Sequence, residues 1–358
     1  MALVDPTHDA KNVMSNSIVA RLAGKICDLD KTTLTKKALA QAKICILDTI
    51  GVTLAGIPEP CTQILLRTPG VATAPGPSLV FGTDRRTSAL DATLVNGTAS
   101  HALDFGNFGA TPGHHSVPLV AMLFALAEER KGRGDDLIAA YVIGLETEIR
   151  LVRAADHDKG WRPVSTLGTL AAAAAASHFL KLGPERTAMA LAIAASLASG
   201  IKANFGAMAK PLHAGQCGRN GLLAALLAEQ GFEAAADVFE RHQGFSNVLD
   251  GPGPFDVERL FADWAAPPEI EAATMVCGGD HPMSASELWD TFESRAVKAL
   301  PREQIASLFE RLETLDKVID MSQATRLLQT SALHQPQAKK VVFAARGAHE
   351  PEETSWVP

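Results

Sequence analysis

This 358-residue chain lacks the features that mark several large classes of protein. Its five cysteines, at positions 27, 45, 61, 217 and 277, show no C-x-x-C spacing, so the sequence predicts reduced thiols rather than disulfides or a zinc cluster. The net charge of -7 comes without an extended basic run, so we expect no nucleic-acid partner. There is neither a G-x-S-x-G elbow nor a Walker phosphate loop.

Secretion and membrane signals are also missing from the sequence. Residues 1–8 carry neither the basic nor the apolar segment of a secretory signal, so the expected location is the cytoplasm. The longest apolar runs, 117–127 and 188–201, are shorter than the roughly 20 residues that span a bilayer. We therefore expect no membrane partner.

Helical periodicity dominates what remains, and β-branched residues are sparse. Thr33 or Thr35 is expected to cap a helix that begins at Lys36. Further helices are predicted at about 86–103, 116–130, 134–153, 167–182, 185–199 and 213–230. The only strand signals are two short stretches, at 78–82 and from residue 340. The predicted fold class is therefore all-α.

The composition changes after Trp264 and divides the chain. We predict a helical domain over 1–265 and a short linker over 266–280, where Pro and Gly cluster. Ser284 and Glu287 have the spacing of a capping box, which predicts a helix start. Residues 281–334 are expected to form helices that pack back on the first domain, and 335–358 a loose polar tail.

Two polar stretches interrupt the apolar helices, and the second runs from 209 to 221. Lys210 precedes a proline, and His213 follows at a predicted helix start, where free N–H groups favour an anion. Glycines then recur every third residue, at 215, 218 and 221, which favours tight packing of one helical face. The alternative is a solvated lysine, a capping histidine and glycines that serve packing alone.

The first polar stretch, 101–115, offers Asp104 with His101, His114 and His115. A carboxylate and an imidazole placed together can act as general base and acid. Adjacent histidines normally point in different directions, so at most one of the pair is expected to be catalytic. A metal site is one alternative, although the histidines lack a clear multi-ligand spacing. A capping aspartate with surface histidines is the other.

A third helix start carries Arg162, a residue suited to bidentate carboxylate recognition, although a surface role is the simpler reading.

Taken together, the motifs resemble those of the MmgE/PrpD family. The resemblance rests on three runs in the same order: Asn96 to Phe105, Gly168 to Ala175, and Lys210 to Gly215 with Arg219 to Gly221. It covers about residues 15–265 and resumes at His281.

The resemblance implies an all-helical large domain, a smaller α+β lid domain, a homodimer and no required cofactor or metal. Members act on di- and tricarboxylates, and Asp104, His114, Lys210 and His213 match their active-site positions. From the residues and the resemblance together, we predict that Asp104, His114 and Lys210 are catalytic and that His213, Arg162, His115 and His101 bind substrate.

The chain also departs from the family pattern. Gly106, Asn107 and Phe108 stand where acidic residues and a threonine are usual, and His115 replaces a proline. Only 16 residues separate Trp264 from His281, so the lid domain is expected to be largely absent.

Two functions follow from the sequence. The first is a lyase or isomerase, 2-methylcitrate dehydratase-like by preference, that moves a proton next to a carboxylate. The alternative is a non-catalytic carboxylate-binding or degenerate paralogue that keeps the dimeric helical core.

Overall fold

The computed structural model describes residues 16–105, 114–155, 160–250, 255–264, 270 and 284–330. Within these ranges the α-helices are α1 Ile18–Asp28, α2 Lys36–Gly56, α3 Pro60–Arg67, α4 Ala89–Ser100, α5 Ser116–Glu129, α6 Gly134–Ala154, α7 Pro163–Phe179, α8 Pro184–Leu197, α9 Ala209–Glu229, α10 Phe245–Asp250, α11 Val257–Phe261, α12 Ala285–Ala296, α13 Arg302–Glu313 and α14 Ser322–Thr325. Two short strands, β1 Ser78–Leu79 and β2 Arg86–Thr87, pair antiparallel with Ser78 opposite Thr87. The fold is mainly helical, which confirms the all-α prediction.

The core lies where α7 packs between α6, α8 and α9. Six consecutive alanines, residues 171–176, are fully buried in α7. Because an alanine side chain is one methyl group, neighbouring helices approach this helix closely. α2 is long and apolar enough to cross a membrane by composition, but it is largely buried in this helical core.

The three glycines of α9 make three different helix contacts. An added Cβ would lie 2.2 Å from the Leu94 oxygen at Gly215, 2.8 Å from the Pro118 oxygen at Gly218, and 2.5 Å from the Ala172 Cβ at Gly221. These neighbours belong to α4, α5 and α7. A step of three residues turns a helix by about 300°, so the contact direction drifts around the axis. The tight packing is as predicted, but it fixes α9 against three helices rather than one.

Helix starts account for the main corrections to the predicted boundaries. α7 begins at Pro163 rather than 167, and α9 at Ala209 rather than 213, because each has a proline in its first turn. Residues 86–87 are strand instead of helix, and Ser88 caps α4 by accepting a hydrogen bond from the Asp91 N–H. Of the two threonines considered as a cap, Thr35 caps α2.

The C-terminal helices contact the N-terminal part of the fold. Ser284 and Glu287 form the predicted capping box of α12, and α12 and α13 both pack against α2. The predicted linker at 266–280 lies outside the described residues, except for residue 270. His281 and the tail at 335–358 also lie outside them. The division into domains therefore stays a prediction.

Candidate functional site

The fold brings the two polar stretches into direct contact. Helix α4 ends at Ser100, His101 is its C-cap, and the chain then turns through Asp104, whose φ of +57° is left-handed. Aspartate tolerates that region better than most residues do. The Asp104 carboxylate meets the Lys210 ammonium of α9, with Oδ2 to Nζ at 2.6 Å.

Two imidazoles flank the same carboxylate. The Asp104 Oδ1 atom lies 3.6 Å from His101 Nε2 and 3.4 Å from His114 Nε2. The two rings meet edge to face with their centroids 4.8 Å apart. Asp104 and His101 are neighbours across the turn that follows α4, and His114 lies just before α5.

Arg162 completes the cluster from the start of α7. Its guanidinium donates to the Lys210 carbonyl oxygen at 2.6 Å and to His101 Nε2. It is 4% exposed, and among the described residues no carboxylate lies within ion-pair distance of it. A buried cation whose hydrogen-bond partners are both neutral is unusual, because burying an unpaired charge is costly.

A short pairing of extended backbone fixes the position of Arg162. The Arg162 N–H donates to the Gly200 carbonyl at 3.1 Å, and the Lys202 N–H donates to the Gly160 carbonyl at 2.8 Å. Trp161 and Ile201 form the β-bridge between these two bonds. The segment before α7 and the segment leading into α9 are thus joined.

The arginine sets the chemistry of His101. A guanidinium only donates hydrogen bonds, so the Nε2 atom of His101 must accept and its proton must lie on Nδ1. That Nδ1 is buried without a hydrogen-bond partner among the described residues. Burial and the Arg162 charge lower the pKa of His101 to about 2, so this imidazole is neutral at physiological pH.

The other two groups also have shifted pKa values. Burial lowers the pKa of His114 to about 4, with Lys210 and Arg162 adding to the effect and Asp104 opposing it. Burial raises the pKa of Asp104, but the hydrogen bond and charge of Lys210, together with the two imidazoles, outweigh it, so the net pKa is lowered. At neutral pH the cluster therefore holds one carboxylate, two cations and neutral imidazoles.

This charge balance decides between a cation and an anion as ligand. Ligand atoms of His101, Asp104 and His114 lie within 4.8 Å of one another, which is close enough for a metal ion. However, the Lys210 ammonium already donates to the Asp104 carboxylate, and the Arg162 guanidinium already donates to the Nε2 lone pair of His101. Two adjacent cations repel a metal ion and attract a carboxylate.

His115 points away from this cluster, as predicted for one of two adjacent histidines. Its Nδ1 atom lies 2.7 Å from Oε1 of Glu148 on α6, and both side chains are buried. The other oxygen of Glu148 has no hydrogen-bond partner among the described residues, and burial raises the pKa of this carboxyl. Glu148 was not predicted, because its only signal in the sequence is an acidic residue within an apolar helix.

His213 lies one turn beyond Lys210 and beside Gly200, where an added Cβ would meet its ring carbon Cγ at 3.4 Å. It makes no hydrogen bond or ion pair with Asp104 or Lys210 in the described structure. Its buried Nδ1 is unpartnered among the described residues, and burial followed by the Arg162 charge lowers its pKa. The structure thus places His213 beside the cluster and not within it.

Phe205 was also missed. Its ring centroid is 5.2 Å from Lys210 Nζ and 5.8 Å from Arg162 Cζ, so it stands beside both cations. The ring is 52% exposed, and exposed Ile201 and Met208 lie on the same segment of chain. Half-exposed aromatic residues leave no periodic pattern in a sequence.

Comparison with known proteins identifies the family. The model of the MmgE/PrpD N-terminal domain matches residues 20–258, which include every residue of the cluster. The chain belongs to the MmgE/PrpD family.

Curated relatives within this family are named cis-aconitate decarboxylases. The human protein is 35% identical over 242 residues, which is 65% of this chain and 50% of that protein. The mouse protein is 32% identical over 69% of this chain and 53% of its own length, and one from Aspergillus terreus is 29% identical over 64% and 49%. The chain thus spans about half the length of the curated relatives it matches.

One departure from the MmgE/PrpD pattern can be placed. His115, where a proline is usual, provides the partner of Glu148 described above. Gly106, Asn107 and Phe108 lie outside the described residues.

Proposed function

We propose that this chain is a lyase that acts on a small tricarboxylate by moving a proton next to a carboxylate. The observation that carries the proposal is the buried Arg162 guanidinium, which donates to the Lys210 carbonyl, together with the Lys210 ammonium on the one carboxylate, Asp104, which lies between two neutral imidazoles. A bound carboxylate would supply the direct ion pair that Arg162 lacks among the described residues. Family membership and the names of the relatives support the same class of substrate.

The roles follow from charge and position. Lys210 and Arg162 hold carboxylates of the substrate, which lowers the cost of negative charge developing on the adjacent carbon. Asp104 and the neutral His114 are the proton acceptors of the cluster, since a carboxylate and a neutral imidazole each offer a basic lone pair at neutral pH. A substrate carboxylate that displaces Lys210 from Asp104 would also free Asp104 to act.

Decarboxylation of cis-aconitate is the first reaction to test, because the curated relatives carry that name. Loss of carbon dioxide breaks a carbon–carbon bond and leaves its electron pair on the remaining dicarboxylate. That pair forms a new double bond as the old one shifts, and the far carbon takes a proton from the Lys210 ammonium or from water. Dehydration of 2-methylcitrate and epimerisation begin with the same need for a stabilised carbanion, so they remain alternatives.

A second candidate function is carboxylate binding without turnover. It is favoured by the exposure of the cluster, since the Asp104 side chain is 53% exposed and Phe205 is 52% exposed. Carbanion chemistry benefits from a site that excludes water. A binding module has no such requirement.

The two candidates separate in one experiment. Purified protein is incubated in deuterium oxide with cis-aconitate, 2-methylcitrate, citrate and iminodisuccinate, and carbon dioxide release and deuterium incorporation are measured. We expect turnover or exchange with at least one acid, and a loss of about 100-fold or more in Lys210→Met. The exposed Lys298 provides a matched control, because Lys298→Met removes a remote lysine.

Unchanged turnover in Lys210→Met would refute the proposed role of the lysine. A thermal shift on ligand addition without any exchange or turnover would favour the binding module over the lyase.

A further inference from the structure

The turn that carries Asp104 is weakly held by its own backbone. The Asp104 N–H reaches the His101 carbonyl at 3.4 Å, a long hydrogen bond. Its φ of +57° is uncommon for a residue with a side chain. Because Asp104 must face Lys210 and His114 together, something beyond the local backbone is needed to fix this turn.

The next residue, Phe105, is in contact with the C-terminal part of the chain. Its ring is 48% exposed, and Cζ of Arg295 lies 5.6 Å from the ring centroid. That distance is within the range of a cation–π contact. Arg295 belongs to α12, so a helix far along the sequence reaches the residue beside Asp104.

Arg295 is itself held in place by α2. Its guanidinium donates to the buried carboxylate of Asp48, and the Arg295 side chain is only 14% exposed. Gly51, one turn further along α2, leaves room for this approach, because an added Cβ there would lie 3.1 Å from the Phe292 ring and 3.7 Å from Arg295 Cδ. The Arg295 guanidinium that contacts Phe105 is thus held in place by Asp48 of α2.

We propose that Arg295 and Phe105 are positioning residues: the Arg295 guanidinium, fixed by Asp48, stacks on Phe105 and holds the neighbouring Asp104 turn against Lys210 and His114. The kinetic consequence of this placement rests on the proposed function, whereas the placement itself does not. The contact also makes the C-terminal helices part of the support of the site.

The test uses two aromatic variants, because Arg295→Met also strands the buried Asp48 and lowers stability. Phe105→Leu removes the ring but keeps an apolar side chain, and Phe105→Trp keeps a ring for the cation. The readout that needs no turnover is the rate at which Lys210 is labelled by reductive methylation, followed by mass spectrometry. Lys43 is an internal reference, since it pairs with Asp316 at 2.8 Å and its side chain is 27% exposed, against 21% for Lys210.

If the ring holds Asp104 on Lys210, Phe105→Leu labels Lys210 roughly two- to thirtyfold faster than the wild type while Lys43 is unchanged. Phe105→Trp restores most of the protection, and Arg295→Met repeats the effect of Phe105→Leu together with a lower melting temperature. The exposed Arg302 supplies the control Arg302→Met, which leaves labelling unchanged. Equal Lys210 labelling in Phe105→Leu and the wild type overturns the proposal.

Labelling that is as fast in Phe105→Trp as in Phe105→Leu overturns it equally, because the ring would then have no role. If the wild type is active, Phe105→Leu lowers kcat by a similar factor. KM changes less, because Lys210 and Arg162, and not Asp104, bind the carboxylates of the substrate. A wild type that turns over none of the acids defeats the proposed function and leaves the labelling result to decide the placement of Asp104.

Discussion

Lowering the pH should destabilise this protein through the two imidazoles that flank Asp104. In the folded chain the pKa of His114 is about 4 and that of His101 about 2, whereas an ordinary imidazole has a pKa of 6.5. Below pH 6.5 the unfolded chain therefore binds protons that the folded chain does not. The folded state keeps its full stability above about pH 6.5 and loses it as the pH falls towards the lowered values.

The size of the effect follows from these pKa values. Between pH 7.5 and pH 5, each imidazole with a folded pKa below 5 lowers the free energy of unfolding by about 2 kcal/mol. The pair therefore lowers it by about 4 kcal/mol. That is a large share of the roughly 5–15 kcal/mol that stabilises a typical domain. Replacement of His114 by glutamine removes one of the two sites and should leave about half of the pair's cost.

The measurement is the free energy of unfolding in urea at intervals from pH 7.5 to pH 5, for the wild type and His114→Gln. Buried carboxyls such as Glu148 also titrate, so the quantity to compare is the difference in slope between the two proteins. His242, which is exposed, provides the control His242→Gln. Parallel pH profiles for the wild type and His114→Gln would show that burial does not hold His114 neutral.

Two further predictions concern packing and ligand. Gly215→Ala should lower the free energy of unfolding by about 2 kcal/mol or more, because the new Cβ lies 2.2 Å from the Leu94 oxygen. Gly24→Ala meets no atom within 4 Å and should raise the free energy of unfolding by about 1 kcal/mol. Urea titration of both variants checks this, and equal shifts would contradict it. Binding of a tricarboxylate should take up more protons near pH 5 in the wild type than in His114→Gln, because a carboxylate beside His114 raises its pKa from about 4. Calorimetry in two buffers of different ionisation enthalpy measures the uptake, and equal uptake in the two proteins would place the ligand elsewhere.

The helices and the candidate residues of the two polar stretches could be predicted from the sequence for physical reasons. Apolar periodicity marks the face a helix buries, and glycine or proline marks where helices end. Asp104 and Lys210 stood out because charged groups beside glycine or proline were the exception in an apolar chain. Those signals are local, and the fold only had to bring them together.

The parts that sequence reasoning missed depend on tertiary contacts. Glu148 is an ordinary helical glutamate until the fold places His115 on it. The neutrality of His101 comes from Arg162, which sits 61 positions further along the chain. Arg295 and Phe105 carry no shared motif, and their contact exists only because α12 packs on α2.

The backbone pairing between residues 160–162 and 200–202 has a consequence for how this site can diversify. Arg162 lies within the first segment and Lys210 follows the second, so hydrogen bonds between backbone groups link the positions of the two cations. Exchange of one cation for a neutral group would change how many acidic groups a ligand needs, while the distance between the two backbone positions stays the same. Such a frame would let related chains select among polyacids of different charge by single substitutions, without a new fold.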